Sequence, residues 1–131
     1  MRDPKRLYGF YDKLQKIQVT YFPDVNFVKF ILGFLDQHDR DPFFPEEDEF
    51  LKYVTEYAKS RTAPEWDGTL KYDPATYETM RDIHINCFPD WRFGQLLVNF
   101  LGCVECTRFH LTEERFVNYL KQFSKGQRPH D

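Results

Sequence analysis

The chain carries one pattern twice. Displaced by 66 positions, the stretch from Tyr11 to Lys59 aligns without a gap on the stretch from Tyr77 to Lys125, with 13 identities in 49 pairs. Phe22-Pro23-Asp24 falls on Phe88-Pro89-Asp90, and Phe27, Phe34, Leu35, Phe43, Glu47, Phe50 and Tyr53 fall on Phe93, Phe100, Leu101, Phe109, Glu113, Phe116 and Tyr119. Most matched positions are apolar or turn residues, so the repetition preserves a fold unit. Positions at which the copies differ are where function can be specialised.

A copy of roughly 60 residues is marginal alone, whereas the 131 residues together make one domain's worth. The expectation is one globular unit with a shared core: a first repeat over 1–60, a linker over 61–72, a second repeat over 73–125 and a tail over 126–131. No apolar run is long enough to span a bilayer, and Met1-Arg2-Asp3-Pro4-Lys5 lacks the apolar stretch of a signal peptide. Three cysteines, an odd set, do not read as a secreted disulfide framework. A reducing, cytoplasmic setting is expected. The net charge of −3 disfavours broad electrostatic binding to nucleic acid or anionic membrane. Most of the 14 Phe recur at helical spacing and are expected to fill a small core.

Periodicity predicts an all-α fold of six helices, three per repeat. Asp3-Pro4 starts the first helix, whose face is Leu7, Tyr11, Leu14, Ile17 and Tyr21, and Pro23 ends it. Asp73-Pro74 repeats the device ahead of Tyr77, Met80, Ile83 and Cys87. The Asp-Pro starts lie 70 apart (73 − 3) against 66 elsewhere, which predicts a first helix four residues shorter in the second repeat. Asp24 and Asp90 are expected to cap the second helices, which bear Phe27, Phe30, Ile31 and Phe34 and, in the other copy, Phe93, Leu96, Leu97 and Phe100. Third helices begin near Pro45-Glu46-Glu47 and at Thr112, with Leu111 and Phe116 set as a hydrophobic staple. Between the copies, Asp67-Gly68 favours a tight turn and a weakly signalled two-stranded excursion.

Three constellations bear on function. His84-x-x-Cys87 followed by Cys103-x-x-Cys106 has zinc-like spacing. A helix of about eleven residues would separate the two pairs by roughly 16 Å, and the aligned residues Gln18, Tyr21, Gln37 and Arg40 cannot form such a site, so no metal or other cofactor is expected. Asp36, Asp39, Asp41, Glu46 and Glu47, with Asp48 and Glu49, make an acidic stretch suited to solvation, to a helix start, or to a basic partner surface. It lacks the spacing and the glycine of a calcium loop. Trp91, Arg92 and Gln95 have no counterpart in the first copy; they either form a binding face or secure their helix. Gly94 among them costs helix stability and suits close packing. No phosphate-binding glycine loop, nucleophile elbow or metalloprotease motif is present, so catalysis is not expected.

The Met-Arg-Asp-Pro opening, Asp41-Pro42-Phe43, and Pro89-Asp90-Trp91-Arg92-Phe93-Gly94-Gln95-Leu96 together resemble segments of short bacterial and phage proteins of no assigned activity. The pattern is divided: the first copy keeps the opening and Asp-Pro-Phe, the second keeps Arg-Phe-Gly-Gln-Leu. The resemblance implies a small accessory protein of a phage or mobile element. The expected function is a non-catalytic interaction protein that binds and inhibits a host defence protein with a basic surface, using the acidic stretch and Trp91, Arg92 and Gln95. The alternative is a small-ligand binder that sequesters a nucleotide-like signal between the repeats.

Overall fold

A computed structural model of the chain describes residues 2–61, 66–104 and 111–131. Among these residues there are six helices and no strand, so the fold is all-α: α1 (Arg6–Tyr21), α2 (Phe27–Gln37), α3 (Glu47–Lys59), α4 (Pro74–Cys87), α5 (Phe93–Leu101) and α6 (Glu113–Ser124). Each places an apolar stripe inward at steps of three and four: Leu7, Tyr11, Leu14 on α1; Phe27, Phe30, Ile31, Phe34 on α2; Phe50, Val54, Ala58 on α3. The same spacing recurs in Tyr77 and Met80 on α4, Phe93, Leu96, Leu97 and Phe100 on α5, and Phe116 and Leu120 on α6.

Local chemistry sets the helix starts, in part differently from expectation. Asp73 caps α4 by accepting from Ala75 N–H, with Pro74 in its first position. Thr112 caps α6 through Arg115 N–H, with Leu111 and Phe116 both buried beside it. Asp3 accepts from Lys5 N–H, but α1 opens only at Arg6. α1 is therefore 16 residues against 14 in α4, a difference of two rather than the four expected. Asp24 and Asp90 are not caps. A turn intervenes after each Pro-Asp, so the cap falls two residues later, where Asn26 accepts from Lys29 N–H. In α5, Gln95 Oε1 accepts from the backbone N–H of Arg92. The freed carboxylates bind elsewhere, Asp24 to the Arg61 guanidinium and Asp90 to the backbone N–H of Arg2.

The helices interlock across the two halves of the chain. α1 packs on α3 and α4 packs on α6 within each half, and α1 and α4 meet at the centre. The second helix of each half leans on the third helix of the other: α2 on α6, and α5 on α3. Between Trp66 and Asp73 no strand forms; Lys71 N–H donates to Pro23 O. Cys106 and Phe109, which entered the expectations above, lie outside the described residues.

Ring contacts at positions 66 apart correspond. Phe27 meets Tyr77 and Phe116 edge-on at 5.2 and 5.6 Å, while Phe93 meets Tyr11 and Phe50 at 5.6 and 5.0 Å. All four contacts run between halves. Phe34 to Phe50 and Phe100 to Phe116, at 5.3 and 5.2 Å, are the matching contacts within halves. Rings of this size bury a large area per residue and favour edge-on geometry, so a small chain can close its core with few residues.

Candidate functional site

The three segments that carry the resemblance converge on one place, the N-terminus of α5. Arg2 donates its backbone N–H to Asp90 Oδ1 at 3.1 Å and Nη1 to Asp90 O at 3.1 Å, and pairs with Glu46. Arg6, on the first turn of α1, donates to Asp3 O, Pro89 O and Trp91 O at 3.0, 2.9 and 2.9 Å and pairs through Nε with Glu47. Arg92 Nε donates to Phe43 O at 3.0 Å, and its guanidinium lies 5.4 and 5.8 Å from the Phe43 and Phe44 ring centres. Gly94 completes the clasp. A Cβ at that position would come 1.7 Å from Pro42 O, so only glycine admits the loop.

The electrostatics follow from this pairing. Arg2 holds the Glu46 carboxyl below its usual range, chiefly through their hydrogen bond. Glu47 is 6% exposed; Oε1 takes Arg6 and Oε2 meets no partner among the described residues. Glu113, 66 positions on, uses both oxygens, accepting from Phe27 N–H at 2.7 Å and Asp73 N–H at 2.8 Å. Tertiary contacts thus hold exposed Glu46 and buried Glu47 against arginines of the same chain, and Asp36, Asp39, Asp41, Asp48 and Glu49 are the other exposed carboxylates of the acidic stretch. Asp41 additionally accepts from Phe43 N–H at 2.9 Å, which turns the loop. Asp36 is exposed near the end of α2, and Asp39 lines a different groove from Glu46 and Glu47.

Trp91, Arg92 and Gln95 serve the fold first. Trp91 is half-buried and stacks on Phe88, ring centres 4.5 Å apart, which in turn stacks on Phe123 at 5.4 Å. In the first half the aligned Phe22 stacks on Tyr57 at 5.5 Å and receives the Arg61 guanidinium at 4.6 Å. The large exposed aromatic at the clasp is Phe44, 66% exposed, edge-on to Phe43 at 5.0 Å. Sequence reasoning passed over it, stopping at the Asp41-Pro42-Phe43 stretch that precedes it. A second bulky aromatic in a proline-flanked acidic loop was the available signal.

Buried between the halves is a polar relay that periodicity did not single out. His84 is fully buried, with Nε2 2.6 Å from Trp91 O and Nδ1 2.8 Å from Tyr11 Oη. A carbonyl only accepts, so Nε2 carries the hydrogen and Nδ1 accepts from the tyrosine hydroxyl. Gln18 occupies the matching position. Its Oε1 accepts from Tyr77 Oη, and its Nε2 donates to Val25 O at 3.2 Å. Burial pushes the His84 pKa down to about 4, partly offset by its bond to Trp91 O. Burial also raises the Tyr11 and Tyr77 hydroxyls well above their usual range.

With both ring nitrogens engaged, His84 has none to offer a metal. Cys87 and Cys103 are exposed free thiols, and no metal-holding group of His, Cys, Asp and Glu occurs among the described residues. No helix among them is long and apolar enough to cross a membrane. An open groove of about 320 Å³ lies within the first half, lined by Phe34, His38, Arg40, Tyr53 and Tyr57 among others. There Arg40 donates to Tyr53 Oη at 2.7 Å, and that hydroxyl donates to Glu49 at 2.5 Å. Compared with family models, with curated proteins and with solved structures, the chain matches none.

Proposed function

We propose that the protein is a non-catalytic binding module whose contact element is the Phe44 loop. The observation that carries this reading is Phe44 itself. A large apolar ring stands mostly in water, set edge-on against the Phe43 ring and 5.8 Å from the Arg92 guanidinium. A pre-positioned aromatic loses little freedom on binding, which suits it to anchor an interface. Exposed Asp41 and Asp48 flank it in sequence, so the fitting partner is a protein with an apolar pocket and a basic rim. The resemblance to short phage proteins supports an accessory protein that binds and inhibits a host defence protein.

The test is affinity capture from host lysate with the wild type, Phe44→Ala and the double variant Asp41→Asn/Asp48→Asn, followed by mass spectrometry. A partner captured by the wild type, lost with Phe44→Ala and weakened by charge removal supports the reading. Equal capture by all three, or no specific partner, overturns it. The alternative, a nucleotide-like ligand, is best supported by the groove beside Arg40, Tyr53 and Tyr57, where rings and a guanidinium suit a base and a phosphate. This groove lies within one half rather than between the halves. Thermal-shift titration with nucleotides decides it: a rise in Tm abolished by Arg40→Ala favours the ligand.

A further inference from the structure

We propose that the surface between the two halves is a self-recognition surface. The partner it fits is another half of the same kind, and the residues just before Asp73 add to the contact, with Lys71 N–H on Pro23 O and buried Tyr72 against Tyr77. This goes beyond the Phe44 loop and does not depend on it.

The basis is reciprocity. Tyr11 of the first half donates to His84 of the second, and Tyr77 of the second donates to Gln18 of the first. Each receiving side chain then ties down a backbone carbonyl of its own half, Trp91 O or Val25 O, and those positions are also 66 apart. The rings repeat the exchange, Phe27 against Phe116 and Phe93 against Phe50. Glu113 takes the N-terminal N–H of α2 from across the interface. A surface in which residue i meets j while the equivalent of j meets the equivalent of i is the signature of a two-fold pairing between like units.

The pairing is also needed for closure. The second helix of each half rests on the third helix of the other, so a half taken alone would leave Phe27 or Phe93, both fully buried here, without those neighbours. Recognition is chemically specific. The partner must present a tyrosine hydroxyl to a buried residue that both accepts and donates, and a phenylalanine at the start of its second helix to a phenylalanine on the facing third helix.

The experiment uses the full-length chain with a site-specific protease sequence inserted between Ala63 and Pro64. After folding and cleavage, the two pieces are expected to co-elute at the mass of the uncut protein with unchanged far-ultraviolet circular dichroism. Their melting midpoint should fall on dilution, and added tagged second piece should replace the untagged one. Tyr77→Phe, which removes one buried hydrogen bond, should weaken the association of the cut pieces about tenfold. Separation of the pieces at micromolar concentration overturns the proposal, whether they remain helical or unfold. Co-elution that is insensitive to Tyr77→Phe overturns the assigned contacts.

Discussion

Replacing His84 with glutamine should leave the protein folded and remove much of its sensitivity to mild acid. In the native state the imidazole is neutral, with a pKa of about 4; in the unfolded chain it titrates near 6.5. Between these values the unfolded chain binds more protons, so stability rises with pH. The contribution is complete above pH 6.5 and is lost as pH falls toward 4. At pH 4.5 the loss amounts to about 2.5 kcal/mol, or about 10 °C in Tm for a chain of this size. Gln18 shows that an amide can do the same work at the matching position, accepting a tyrosine hydroxyl and donating to a carbonyl. His84→Gln should therefore cost no more than about 1 kcal/mol at pH 7.5. His84→Ala, which strands the Tyr11 hydroxyl and opens a cavity, should cost about 2–4 kcal/mol. Urea unfolding followed by circular dichroism at pH 7.5, 5.5 and 4.5 measures all three proteins. If His84→Gln loses stability in parallel with the wild type between pH 6.5 and 4.5, the relay is not the source of the acid sensitivity and the reasoning fails.

Two glycines make a matched pair. Gly94→Ala drives a methyl into Pro42 O and should destabilise by about 2–3 kcal/mol, whereas Gly9→Ala, with nothing within 4 Å in an exposed helical turn, should stabilise by about 0.5–1 kcal/mol; thermal melts compare them directly. Arg61 binds Asp24 through two hydrogen bonds of 2.7 and 2.6 Å and also donates to Tyr21 O. Arg61→Ala should cost about 1–2 kcal/mol at low salt, and less of that cost should remain in 1 M sodium chloride. Because Arg61 lowers the Asp24 pKa, this contribution is present above the ordinary carboxylate range and disappears as pH falls through the lowered value, below the window in which His84 acts.

The helices were legible because their apolar spacing is written locally, and the boundaries at Pro23, Pro74 and Thr112 follow from local backbone chemistry. The caps at Asp24 and Asp90 were misread because a turn of two residues separates each from its helix, and nothing local reveals the distant partners of the carboxylates, the Arg61 guanidinium and the Arg2 backbone N–H. The buried relay was hidden for a related reason. Gln18 and His84 read as polar interruptions on half-apolar helices, where Ile17 and Ile83 looked like the inward residues; both isoleucines are only partly buried. The partners of Gln18 and His84 lie 59 and 73 residues away, so their satisfaction depends on how the halves meet. A trace was present in the aligned pair, since glutamine and histidine share the ability to donate and accept at once. At the candidate site, the grouping of Trp91, Arg92 and Gln95 was readable from one turn of sequence. Whether they fasten the fold or form a binding face stayed open, because the Phe43 carbonyl held by Arg92 lies 49 residues from it.

The crossed relay has a consequence for how this sequence can change. A substitution at position 84 is felt first by Tyr11, and one at position 18 by Tyr77, so each half sets the tolerance of the other. Drift in one half alone meets a penalty that a compensating change in the opposite half removes. Position 18 should therefore covary with 77, and 84 with 11, more tightly than either does with its sequence neighbours. Exchanging the two residues, Gln18→His together with His84→Gln, keeps one donor and one acceptor at each end of the relay.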